Sequence, residues 1–405
     1  MKLVKSNSTY FLTLLLCLSS AIAKRKVEVV TVVTQSAEEF SSEFFKKISA
    51  AYANKNVITS PLSAHVVLSM AAYGARGQTS NQMRQSLHLP ENNTITHQGF
   101  EGIIKRYQNV KSVVLKVANK IYVAKGMKLE QRYKHLTART FKSEASELEV
   151  DRPTKAAQYI NHWVGRNTND KIHDIIVPSD IDASTRLIML NAVYFKGEWL
   201  KSFDKKLTVE SQFHITEEIQ KNVSTMFTSG SFMYGELTDL KAKFIEVPYK
   251  NGDFKLVVIV PNDINGLDYV IQNSTALKPE YLAKSASKQE VHLYLPKFKI
   301  ESTIDLKEPL EKLGMTNMFE NTANFSGIAK ESLQVSKVLQ KAFIEVNEHG
   351  SEAAAATSIN FVLSAAPVVP VAPIEFKADK PFLFQINDNK LGLTLFTGTV
   401  NDPKI

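Results

Sequence analysis

The sequence predicts an α+β fold built as one large domain, and three observations predict it. Helical and strand patterns alternate along the whole chain. No internal repeat and no Gly/Ser-rich linker divides it. With 405 residues, 44% of them hydrophobic and 22% charged, the chain can bury a sizeable core and is neither collagen-like, low-complexity nor mostly disordered.

In chain order, the first 23 residues have the make-up of a secretory signal. Lys2 and Lys5 precede an apolar Tyr10–Leu18, and Ala21-Ile22-Ala23 is a small-residue cleavage pattern. The apolar stretch is too short to span a bilayer. Cleavage after Ala23 leaves residues 24–405 as a single domain and removes Cys17, the only cysteine. The mature chain is then expected to have no disulfide, no thiolate nucleophile and no cysteine metal site. Net charge falls from +8 to +6, because two lysines and no acid leave. That is mild for a chain of this length, and nucleic acid is not expected as a partner. Lys105, Arg106, Lys111, Lys116 and Lys120 allow a weak polyanion surface, although a solvated face is the simpler reading. Glycosylation sequons at Asn92, Asn222, Asn273 and Asn324 agree with the secretory pathway. No second long apolar stretch free of proline follows, so a secreted, extracellular monomer with no membrane contact is expected.

Apolar residues at Phe40, Phe44, Ile48 and Ala51 give residues 36–53 a helical period. Residues 61–74 form a second, wholly apolar helix, with Ser60 as N-cap and Pro61 in its first turn. Ala156, Ile160, Trp163 and Val164 make one face of a third. Strands are predicted over 113–121, 187–194, 243–247, 254–260, 291–300 and 391–400. Lys250-Asn251-Gly252-Asp253 marks a hairpin turn, since Asn-Gly accepts positive φ.

No nucleophile elbow, HExxH, P-loop or dinucleotide fingerprint is present, and the nine histidines are scattered. Nothing supports an enzyme, a cofactor or a metal. His349, beside Glu348, is read as a lone exposed histidine. The anomaly lies at residues 353–374, twenty-two residues without a charge. Pro367, Pro370 and Pro373 exclude a membrane or buried helix, and a linker would be more polar. The composition suits an exposed proline-rich bait preceded by an alanine-lined strand without a sheet. Ser351, Ala353, Ala355, Thr357, Ile359 and Phe361 would share one face, uncharged and at first small, while Glu352 and Asn360 lie on the other. Gly350 supplies a hinge. An alanine-rich helical turn is the competing reading.

Glu348-His349-Gly350-Ser351-Glu352-Ala353-Ala354-Ala355-Ala356-Thr357 resembles the hinge of inhibitory serpins. Further segments resemble signatures of that family in family order: Asn56–Ser63, Asn191–Trp199, Leu295–Ile300, Leu306–Met315, Ala378–Phe384 and Phe396-Thr397-Gly398. The likeness runs from about residue 36 to the end and is nearest to secreted insect serpins. It implies three β-sheets, about nine helices and an exposed reactive loop over about 348–375. It also implies a suicide-substrate inhibitor. A protease cuts the loop, is held as an acyl-enzyme, and is carried off when the loop enters the central sheet, a step for which serpins are the standard example.

By the same resemblance, Ser60, Ser63 and Asn191 form the polar cluster where central strands part. Gln340 stands where the family often has histidine, Trp199 marks the insertion point, and Glu348 faces Lys297 as a surface ion pair. Family spacing puts the scissile bond at Ser364-Ala365, with Leu363-Ser364 the alternative. No Lys or Arg lies between Gly350 and Lys377, which argues against trypsin-like targets. Chymotrypsin- or elastase-like serine proteases are the expected partners. A papain-like cysteine protease and a non-inhibitory binding or storage role stay open as alternatives.

Overall fold

The computed structural model describes residues 4–351 and 372–404. The described residues contain nine α-helices and two hydrogen-bonded sheets, one of nine strands and one of six. The three sheets implied by the resemblance appear as two networks. The eighteen-residue strand Gln220–Leu237 pairs with Val209–His214 at one end and with Ala242–Pro248 at the other, fusing two sheets into one.

The predicted elements form, with shifts at their ends. The helix expected over 36–53 is the last part of a longer one, Val4–Ala51, whose inward positions include Val33, Phe40, Phe44 and Ile48. The second helix is Pro61–Gly74, buried on nearly every side, which explains its all-apolar sequence. Ser60 occupies its N-cap but does not cap it; the hydroxyl donates to the carbonyl of Leu395. Asn251 and Gly252 take φ of 69° and 68°, as the hairpin turn requires.

The strand expected over 291–300 is two strands in different sheets, Ser287–Pro296 and Phe298–Asp305. Pro296 has no amide hydrogen to continue a ladder, and the Lys297 amide turns to the carbonyl of Ser224. The crossing places Lys297 at one end of the six-stranded sheet.

The six-stranded sheet positions the site. Its central strands, Leu187–Glu198 and Val335–Asn347, lie side by side and parallel, with Val114–Ala124 outside the first and Phe298–Asp305 outside the second. One face, including Val193, Phe195, Ala342 and Ile344, joins the main core between the sheets. The other face, including Leu190, Ala192, Tyr194, Leu339 and Phe343, is covered by the helix Pro153–Asn167 and the chain that follows it.

The first helix is tied to the strand Leu393–Val400 by a buried carboxyl. Glu38 accepts from the amide and hydroxyl of Thr394, and burial pushes its pKa up to about 7. Unfolded, it would ionise near 4.5. Stability should therefore fall as pH rises from about 4.5 through about 7, by about 3 kcal/mol at 1.36 kcal/mol per pKa unit. Glu38→Gln removes that slope. The variant should match the wild type at pH 4.5 and exceed it at pH 8 in urea unfolding; parallel profiles would contradict the assignment.

Candidate functional site

At one end of the six-stranded sheet the two central strands are parted. They pair directly from Val335 to Phe343 against Leu187 to Tyr194, and beyond that point the short strand Gly350–Ser351 sits between them. It runs antiparallel to both: Ser351 lies opposite Val346 on one side and Gly197 on the other. Only glycine fits at position 350. Its φ is +150°, and a β-carbon there would fall 1.9 Å from the carbonyl oxygen of Gly197.

Aromatic and polar groups hold this insertion. Ser351 is fully buried, and its hydroxyl shares a 2.6 Å hydrogen bond with the Tyr249 hydroxyl. The Tyr249 ring stacks on Trp199 at 4.6 Å between centroids. The Trp199 indole donates to the Asn347 carbonyl, and its amide donates to the His349 carbonyl. His349, expected exposed, is half-buried in this turn. Glu348 accepts from the Thr208 hydroxyl at 3.0 Å and pairs with Lys297 at 3.2 Å. This is not the surface ion pair the sequence suggested, because the Glu348 side chain is only 6% exposed. Burial pushes the Glu348 carboxyl up, but hydrogen bonds from its own amide, Thr208 and Lys297 outweigh that and hold it below the usual carboxylate range.

Midway along the parallel ladder, Gln340 lies opposite Asn191. Its amide oxygen accepts from the Thr59 hydroxyl and the Ser60 amide, while its nitrogen donates to the Ser60 carbonyl and the Asn191 side-chain oxygen. Asn191 in turn donates to Ser63 and Asn119. All four hydrogen-bonding places of Gln340 are filled, which a histidine with two ring nitrogens could not do. The cluster contains no titratable group. Gln340→Ala strands four buried partners at about 1–3 kcal/mol for each one left unsatisfied, so the urea midpoint should drop markedly. Gln340→His should make the midpoint change between pH 5 and 7 by a step that the wild type lacks.

The structure thus brings Ser60, Ser63, Asn191 and Gln340 into one cluster and Trp199, Lys297, Glu348, Gly350 and Ser351 into another. The hinge positions Glu352, Ala353, Ala354, Ala355, Ala356 and Thr357, and the bonds at Leu363, Ser364 and Ala365, lie outside the described residues. Asn92, Asn222, Asn273 and Asn324 are all exposed. Within the basic group, Arg106 does not face outward freely; its guanidinium holds the buried Asp388 at 2.6 and 2.7 Å. Thr59, Asn119 and Tyr249 belong to the site and were not singled out by sequence. Thr59 lies within the Asn56–Ser63 signature, whereas Asn119 and Tyr249 carry no local signal.

A central sheet whose two parallel middle strands are parted at one end by the short strand Gly350–Ser351 is the architecture that the site defines. The chain belongs to the serpin family: a family model described as serpin (serine protease inhibitor) matches residues 35–403. Antichymotrypsin-2 and Antitrypsin, both of Bombyx mori, are each 34% identical over 372 residues, covering 91% of this chain and 97% and 93% of theirs. Among solved structures, a serpin of the insect Tenebrio molitor matches with a TM-score of 0.84 at 32% identity, over 92% of this chain and 98% of that one.

Proposed function

We propose that the protein is a secreted suicide-substrate inhibitor of chymotrypsin- or elastase-like serine endopeptidases and is not itself an enzyme. The observation that carries this reading is the seated hinge, Gly350–Ser351, with the sheet parted around it and closed beyond it. In this mechanism the protease serine attacks the carbonyl at Ser364-Ala365 or Leu363-Ser364, and the leaving amine departs while the ester persists. The freed strand then continues between Leu187–Glu198 and Val335–Asn347. Extending the register of Gly350–Ser351 carries Thr357 to the Gln340–Asn191 cluster. Ser351 faces the main core, so Ala353, Ala355 and Thr357 would follow it there, where Phe195 and Val193 leave room only for small groups.

Target choice rests on the loop. Two relatives of equal identity carry the names Antichymotrypsin-2 and Antitrypsin, so overall likeness does not select a protease. A loop without Lys or Arg between Gly350 and Lys377 favours apolar primary pockets. The leader over residues 1–23 and the four exposed sequons support secretion and glycosylation as part of the same reading.

Incubation with chymotrypsin, elastase, trypsin and papain tests it. An SDS-stable complex of summed mass is expected with chymotrypsin or elastase and not with trypsin. Mass spectrometry of the released C-terminal fragment should place the cut at residue 363 or 364. Only free protease and clipped chain would favour the non-inhibitory role; a papain complex alone would redirect the target to cysteine proteases.

A further inference from the structure

The loop leaves the body beside Trp199 and returns to it at Ile374, and a groove of about 450 Å³ touches both places. That is within the roughly 300–1,000 Å³ of ordinary binding sites. Leu200, Phe232, Met233, Val247 and Pro248 form its apolar wall. Leu200 is 61% exposed and Met233 37%, so this part of the wall is open to solvent. Leu200 follows Trp199 at the hinge, and its amide donates to the Pro248 carbonyl. Gly230, on the other side of the groove, lies opposite Val291, which in turn lies opposite Ile374.

Most charges of the groove are already satisfied. Glu246 and Lys255, both buried, pair at 2.6 Å, and Lys201 donates to the Ser229 carbonyl. An uncharged occupant can cover the Glu246–Lys255 pair without stranding either charge, whereas a charged one would compete with it. Such a segment belongs to this chain. Residues 353–374 carry no charge, and the described residues stop at Ser351 and resume at Ala372. The strand Ile374–Lys377 runs parallel to Ser287–Pro296. Followed backwards, its register brings Val371 level with Lys288 on the rim of the groove. Pro373 and Pro370 have no amide hydrogen to extend that ladder, which favours a turn away from the sheet edge and toward the groove. Val368, Val369 and Val371 flank Pro370 at this point.

We propose that Val368-Val369-Pro370-Val371 is seated in this groove in the intact protein and anchors the returning half of the loop. The anchor decides which bonds a protease can reach, a consequence that rests on the inhibitor reading above. Small apolar residues suit an elastase-like pocket at Val368-Val369 and Val371-Ala372 as well as at Ser364-Ala365. A cut at either later bond releases a strand four or seven residues longer than a cut after Ser364. Seating the later bonds against the body leaves the earlier ones as the bait.

The full chain carrying p-benzoylphenylalanine in place of Val369 tests the seat directly. Irradiation should join residue 369 to Met233, Leu200 or Phe232 of the same molecule, read by peptide mass spectrometry. Leu200→Lys together with Met233→Lys should lower that yield at least fivefold; both side chains are exposed, and an unchanged urea midpoint shows that the fold is kept. Elastase should cut the protein without these lysines only between residues 363 and 366, and in the double variant the share of cuts at Val368-Val369 and Val371-Ala372 should rise at least fivefold. No adduct, adducts outside the groove, or the same share of late cuts in both proteins would each overturn the proposal. Adducts joining two molecules would give the groove to a second copy and overturn it as well. A protein that elastase clips without being trapped would end the inhibitor reading, while the adduct at Met233 would still uphold the seat. The cross-link is made in a body with its native groove and so does not depend on the double variant folding.

Discussion

Cutting the loop between residues 358 and 371 should raise the melting temperature by on the order of 10 °C or more. The intact sheet holds one parallel ladder between Val335–Phe343 and Leu187–Tyr194. Insertion replaces it with two antiparallel ladders, the pairing already present at Gly350 and Ser351. About a dozen residues gain paired backbone groups at roughly 0.5–1.5 kcal/mol each, or about 10 kcal/mol. Unfolding entropy of about 2.1 cal/mol/K per residue over this length amounts to about 0.8 kcal/mol/K. The quotient gives the shift, before any side-chain burial. The intact form is then a kinetic trap, held by the ladder that must open and by the Gln340–Asn191 cluster in its middle. Limited proteolysis, a mass-mapped cut and calorimetry of both forms decide the point. A clipped chain that melts no higher than the intact one would remove the stored strand from the account.

Part of the fold was legible because its signals are local: the apolar run Pro61–Gly74, the Asn251-Gly252 turn and the glycine at 350 need no knowledge of distant residues. The alanine run and Pro367 and Pro370 are equally local but lie outside the described residues. What the sequence could not carry are contacts made across the chain. Tyr249 sits about a hundred residues from Ser351, yet hydrogen-bonds to it. Asn119 joins Asn191 only because two antiparallel strands bring them opposite each other. Continuous apolar alternation hid the break at Pro296, since Leu293, Leu295 and Phe298 are all buried although they serve different sheets. Glu348 looks like a surface residue by type, and the strand crossing that follows that same proline brings a half-buried Lys297 against its buried carboxylate.

Ser351→Arg should turn the inhibitor into a substrate. Two rates compete after the acyl-enzyme forms, insertion of the strand and hydrolysis of the ester. Position 351 is fully enclosed between Val346 and Gly197, beneath Tyr249, and faces the main core rather than the covering helix. A guanidinium there finds one hydroxyl and no carboxylate, a burial that costs several kcal/mol. Because Gly350–Ser351 is already seated in the intact chain, the arginine first unseats it, and the cost of burying the guanidinium returns on insertion; if about half of a 3 kcal/mol penalty reaches the insertion barrier, insertion slows about tenfold, because each 1.36 kcal/mol is a factor of ten. Hydrolysis proceeds unchanged, so the moles of inhibitor consumed per mole of protease trapped should rise about tenfold. The reactive bond lies more than ten residues away, so the rate of first cleavage should hardly move. Ser351→Ala loses only the Tyr249 hydrogen bond and should go on trapping. Gel densitometry of complex against clipped chain reads all three proteins, and an arginine variant that traps as well as the wild type would show that passage through this slot is not what sets the outcome.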